Sequence, residues 1–179
     1  MEMVEKFDSK RIPLGKIEER YKRIEGEFKQ SMHIWIMNKN GEFLIQKRSE
    51  EKRVFPGMWS ITGGGVDVGE TTLQTVIREC KEELSIDVDM DKLELMMMFR
   101  TKKDFTDVWL LRQDIEIDNI KLQEEEVSEV KWISDSDLRK MIEENEFAPN
   151  VAFYYEFFSK LIDLKEWFMP YKWMDEYVS

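Results

Sequence analysis

The segment Gly63–Ile86, GGGVDVGETTLQTVIRECKEELSI, constrains the chain more than any other. A run of three glycines leads into the clearest helical pattern in the sequence, expected over Thr71–Leu84. Glycine lacks the side chain that would keep other groups away from its backbone, so the run reads as a strand-to-helix turn open to close approach. An α-helix turns about 100° per residue. With Leu73 at zero, Val76, Ile77, Cys80 and Leu84 fall within about 60° of it and are expected to form the buried stripe. Glu82 falls near about 180°, Glu79 near about 240° and Glu83 near about 280°, so three carboxylates share one sector. Glu79 and Glu83 are four residues apart, a like-charge pairing that destabilises an isolated helix. A hard dication with oxygen ligands would relieve it. A solvated acidic helix face explains the same three residues taken alone, and a plain turn explains the glycines.

The rest of the chain reads as strands and helices without regular alternation, which predicts an α+β fold or a mixed sandwich rather than a doubly wound sheet. Residues 1–31 read as a short strand, a turn around Pro13 and Gly15, and a polar stretch. His33–Met37 and Glu42–Lys47 flank an Asn-Gly turn and read as a hairpin. Residues 49–58 form a charged loop before a strand at Trp59–Thr62. Leu93–Phe99 and Thr106–Leu111 read as a strand pair, and Val127–Ile133 as a further strand. Ser134 is placed to cap a helix running to about Glu144. A helix from Pro149 carries Val151, Tyr154, Tyr155, Phe158, Leu161 and Ile162 on one face.

The net charge of −11, from 27 Lys+Arg against 38 Asp+Glu, argues against a nucleic-acid partner. The longest notable apolar run, Leu95–Phe99, is too short to span a bilayer, and the N-terminus lacks a secretory pattern. A cytoplasmic protein with no membrane partner is expected. The lone Cys80 excludes an intrachain disulfide and suits a reducing compartment. It falls on the apolar stripe, so packing is favoured over nucleophilic chemistry. His33 is expected to pack or hydrogen-bond rather than ligate.

The spacing within 64–86 resembles the Nudix hydrolase box: Gly, five residues, Glu, seven residues, Arg-Glu, an apolar residue, any residue, Glu-Glu, any residue, Gly, an apolar residue. Here those positions hold Gly64, Glu70, Arg78, Glu79, Cys80, Glu82, Glu83, Ser85 and Ile86. Of the seven glycine or charged positions only Ser85 departs, standing where the family has glycine. The resemblance covers about residues 5–165, as judged from the order of elements around the box. Its flanks, with His33-Ile34-Trp35, LIQKRS and FPGMWS, are similar to the subgroup near isopentenyl-diphosphate isomerases.

The resemblance implies an α/β/α sandwich around a mixed sheet, with an N-terminal hairpin and a C-terminal helix. It implies one domain over residues 1–166, leaving an aromatic tail at 167–179 for packing or a homodimer contact. It implies Mg²⁺, with Mn²⁺ as substitute, held by Glu79, Glu82, Glu83 and the Gly63 carbonyl. Water would attack a pyrophosphate bond in a nucleoside diphosphate linked to another moiety. Glu79 is the favoured general base and Glu126 the rival, with Glu124, Glu125 and Glu129 weaker candidates. Arg78 would pair with Glu70 or orient Glu79, since a guanidinium forks onto carboxylates. Arg48 and Arg53, with Lys47 and Lys52, are candidates to meet substrate phosphates, though a solvated basic loop explains them nearly as well. An isomerase-like enzyme ranks low, because Ser60–Gly65 holds neither the cysteine nor the histidine that its chemistry uses. A non-catalytic nucleotide- or partner-binding module is the other alternative, and the retained box acids weigh against it. A serine at 85 would cost roughly 1 kcal/mol if forced into left-handed angles.

Overall fold

The computed structural model describes residues 2–168. Two layers of helix enclose a mixed seven-stranded sheet, and a separate two-stranded hairpin lies at one end. The hairpin is β1 (Met3–Phe7) with β2 (Pro13–Glu19). Its turn lies at Asp8–Ile12, not at Pro13 and Gly15 as the sequence suggested. Asp8 Oδ1 accepts the N–H groups of Lys10 and Ile12 at 2.8 and 2.9 Å, and Arg11 takes a left-handed φ of 65°. Pro13 and Gly15 fall inside β2 instead. Among the described residues that strand pairs only with β1, and it is exposed almost throughout, so a residue lacking an N–H is tolerated there.

The main sheet centres on β3 (Lys29–Met37), whose neighbour on one side is β8 (Asp104–Arg112), paired in parallel. Beyond β8 lies β7 (Leu93–Arg100), antiparallel. On its other side β3 meets two strands in turn. Its end pairs with β4 (Phe43–Arg48) at only two positions, Ile36–Leu44 and Met37–Phe43. Its start pairs with β6 (Thr62–Gly65). β4 turns most of its length to β9 (Val127–Ile133), and β5 (Trp59–Ser60) adds to its other edge. The expected single strand at Trp59–Thr62 is thus two, changing partner at Ile61. The three glycines belong to β6 rather than to a turn, with Gly63, Gly64 and Gly65 opposite His33, Met32 and Ser31.

Alternation along β3 sends side chains to opposite faces and builds two cores. Met32, Ile34 and Ile36 pack with Val76, Cys80 and Leu84 of α1 (Thr72–Leu84). Trp35 and Met37 pack with Leu138 and Met141 of α2 (Asp135–Glu143) and with Tyr154, Tyr155 and Phe158 of α3 (Pro149–Phe168). The aromatic tail expected from Trp167 lies outside the described residues, apart from the backbone of its first two positions. No helix among the described residues is long and apolar enough to cross a membrane.

Candidate active site

Thr71 caps α1 reciprocally. Gln74 N–H donates to Thr71 Oγ1 at 3.3 Å, and Thr71 N–H donates to Gln74 Oε1 at 2.8 Å. At the other end Ser85 adopts φ 57°, ψ 27°, the left-handed geometry that glycine serves in the family box. Its N–H reaches Lys81 O at 3.1 Å, and Ile86 N–H reaches Cys80 O at 3.0 Å.

The buried face of α1 is not where the apolar stripe alone put it. Ile77, expected inside, is 41% exposed, whereas Glu83 is 6% exposed. The buried residues Thr72, Thr75, Val76, Cys80, Glu83 and Leu84 centre near about 280° on the wheel, the direction of Glu83 itself. Two hydroxyls and a carboxylate turn inward because polar partners await them. Gln46, on β4, donates Nε2–H to Glu83 Oε2 at 2.8 Å and accepts Thr62 Oγ1–H at 2.8 Å. Gln46 was missed in the sequence, where its one signal is a polar residue ending the apolar run Phe43–Ile45. Thr75 Oγ1 donates to Glu70 Oε2 at 2.9 Å.

Glu79 fills the hollow over Gly64, where a Cβ would collide with its carboxylate. Arg78 reaches both partners named for it: Nε to Glu70 Oε1 at 3.0 Å and Nη1 to Glu79 Oε1 at 2.9 Å. Nη1 also reaches Glu82 Oε2 at 3.1 Å. Burial opposes the Arg78 charge, but Glu70, Glu79 and Glu82 outweigh it and raise the group. The Arg78 hydrogen bond holds Glu70 below the usual carboxylate range. Burial pushes Glu79 up, against Arg78. Burial pushes Glu83 up to about 7, and the charge of Glu79 adds to it. A buried carboxylate, Glu83, raised in part by the charge of a half-buried one, Glu79, over a glycine hollow makes an oxygen donor set suited to a hard cation. Glu82 stands apart, its side chain 53% exposed. Among the described residues no group of three His, Cys, Asp or Glu converges closely enough to hold a metal by itself. Water and phosphate oxygens would complete the shell.

Of the remaining candidates, Glu126 stands at the rim, ion-paired with Lys52. Arg48 donates Nε–H to Val54 O at 2.9 Å and lies close enough to Glu83 for their charges to interact. Arg53 stacks over the Tyr21 ring, 4.5 Å from its centroid. Gly63 packs against His33, whose Nδ1 meets Tyr154 Oη at 3.0 Å. Cys80 is buried in the α1 core, and burial pushes its thiol up, as befits packing. Glu124, Glu125 and Glu129 are exposed.

A NUDIX domain model matches residues 27–155. An uncharacterized Nudix hydrolase of Listeria innocua is 33% identical over 141 residues, covering 78% of this chain and 80% of that protein. A crystal structure from Deinococcus radiodurans superposes with a TM-score of 0.71 at 24% identity, covering 82% of this chain and 92% of that one. The NUDIX domain of Shewanella oneidensis NrtR, crystallised with ADP ribose, gives a TM-score of 0.59 at 16% identity, covering 85% and 95%. The chain belongs to the Nudix family. Its class is that of hydrolases acting on pyrophosphate bonds, enzymes that generally use divalent metal ions.

Proposed function

We propose that the chain hydrolyses the pyrophosphate bond of a nucleoside diphosphate linked to a second moiety, with Mg²⁺ as cofactor and Mn²⁺ as substitute. The observation that carries it is the pair Glu79 and Glu83, both pushed up by burial beside the Gly64 hollow. ADP ribose, the ligand of the Shewanella domain, is the first compound to try. Glu79 and Glu83 would hold the metal, with the Gly63 carbonyl, and Glu82 would join them by turning inward from its exposed position. When bound, the ion neutralises the pyrophosphate and stabilises charge that develops as water attacks phosphorus.

The protein groups then have separate tasks. Glu79 accepts the proton of the attacking water while the new O–P bond forms and the anhydride P–O bond breaks, the leaving phosphate carrying the electron pair. Its burial raises its proton affinity, the direction that favours a general base. Arg78, fixed by Glu70, sets the direction of the Glu79 carboxylate. Gln46 holds Glu83 inward from the sheet. Glu126, ion-paired with Lys52, is the second candidate for the base. Residues 1–166 act as one domain, and the single buried cysteine suits an enzyme of the cytoplasm.

Screening nucleoside diphosphate and triphosphate derivatives with Mg²⁺ or Mn²⁺ tests this. Glu82→Gln and Glu83→Gln should each cut turnover by about 100-fold or more while melting as cooperatively as the parent. Normal hydrolysis by both variants would refute the assignment.

A further inference from the structure

The acid pair is faced by cations that come from outside the box. Arg20, directly after β2, lays its guanidinium against Gly65, where a Cβ would stand 2.9 Å from its Cζ, Nε and Nη2. The neighbouring Gly64 gives the same room to Glu79. Gly64 and Gly65 are successive residues of β6 and so open to opposite faces of the strand, yet Arg20 lies close enough for its charge to act on the candidate base Glu79. Arg48 ends β4, and Lys52 follows in the 49–58 loop. Burial holds Arg48 and Lys52 below their ordinary values, and the Arg20 charge lowers both further. Glu79 and Glu83 pull the other way on Lys52.

Three partly buried cations that repel one another are costly unless an anion sits among them. Two carboxylates now take that place: Glu2 pairs with Arg20, and Glu126 pairs with Lys52. The Glu2 side chain is 56% exposed, so it can leave Arg20 without unpacking a core. Beside Arg20, Tyr21 presents a ring to Arg53 at 4.5 Å and to Lys29 at 5.7 Å. The matched NUDIX domain begins at residue 27, so Glu2, Arg20 and Tyr21 belong to a part of the chain that the family model does not cover.

We infer that Arg20, delivered by the β1–β2 hairpin, is a specificity-determining residue that binds a phosphate of the diphosphate ester, with Arg48 and Lys52 completing the anion seat. This rests on the pyrophosphate substrate proposed above. Glu2 and Glu126 hold the seat when it is empty, and the substrate phosphate displaces them. The hairpin therefore selects substrates by the position of their negative charge relative to the hydrolysed bond.

Calorimetric titration with the α,β-methylene analogue of ADP, whose bridging carbon resists hydrolysis, tests the seat in the presence of Mg²⁺. Arg20→Gln should weaken binding at least about tenfold, the loss expected of one charged hydrogen-bonding partner. It should raise KM more than it lowers kcat on any hydrolysed substrate, and Arg20→Lys should recover part of the affinity. Glu2→Gln frees Arg20 and should bind as tightly as the parent or more so. Parental affinity in a folded Arg20→Gln, a loss in Glu2→Gln as large as in Arg20→Gln, or no binding by the parent would each overturn the inference. Hydrolysis with an unchanged KM in Arg20→Gln defeats the seat alone. Analogue binding that depends on Arg20, without hydrolysis of any derivative, defeats the catalytic proposal and leaves the seat standing.

Discussion

Glu83 shows how one side chain can be visible in a sequence and yet misplaced by it. The box spacing singles it out, but the wheel drawn from apolar residues puts it to the side of the core. The structure buries it because Gln46, a residue without a motif of its own, supplies its partner. Gln46→Leu would strand both Glu83 and Thr62 in a buried setting. It should cost about 1–3 kcal/mol in chemical denaturation, and an unchanged midpoint would show the hydrogen bonds to be incidental. His33 gives a second outcome, read in pH. Burial pushes its imidazole from 6.5 down to about 4. Between those values the unfolded chain binds more protons than the folded one, so stability rises with pH. The contribution is complete above about 6.5 and is lost as pH falls towards 4, by at most about 3 kcal/mol. Melting temperatures across that window should fall with acid in the parent and fall less steeply in His33→Phe. Equal slopes would contradict the assignment.

Among the elements, α1 was legible because it carries redundant signals: a 3- and 4-residue apolar spacing and the box acids. Its rotation was not, since Thr72, Thr75 and Glu83 turn inward for polar partners that lie on other elements. Similarly, the strand at Trp59–Thr62 was legible as extended chain, but its split between β4 and β3 depends on long-range pairing that local pattern does not encode. The turn of the first hairpin was misplaced because Pro13 and Gly15 are usual turn residues, whereas the Asp8 side chain makes the turn. Ser85 is a case where the sequence spoke clearly. Its left-handed φ of 57° is the strain expected of a serine standing for glycine. Ser85→Gly should stabilise the chain by roughly 1 kcal/mol, less whatever the 3.3 Å bond from Ser85 Oγ to Lys121 O contributes. A lowered melting temperature would mean that bond outweighs the backbone strain.

In the molecule as a whole, the hairpin is tied to the sandwich by a junction that no motif announced. Arg11 Nη1 and Nη2 fork onto Asp107 Oδ1 and Oδ2 at 2.7 Å each, and Thr72 Oγ1 donates to Asp107 Oδ2 at 2.7 Å. One buried carboxylate thus joins the hairpin turn, β8 and the start of α1. Asp107→Ala leaves a partly buried arginine without its partner and should cost about 3 kcal/mol. By loosening the hairpin it should also raise KM, while a parental KM would show that Arg20 is positioned independently. The central proposal is that the acids of α1 and the glycine strand form a site where water attacks phosphorus. The direct test is hydrolysis of ADP ribose with Mg²⁺ in heavy-oxygen water, followed by mass spectrometry of the products. The expected result is heavy oxygen in the phosphate of one product, formed at least about 100-fold more slowly by Glu83→Gln. Heavy oxygen on carbon instead, or parental product formation by Glu83→Gln, would contradict the claim.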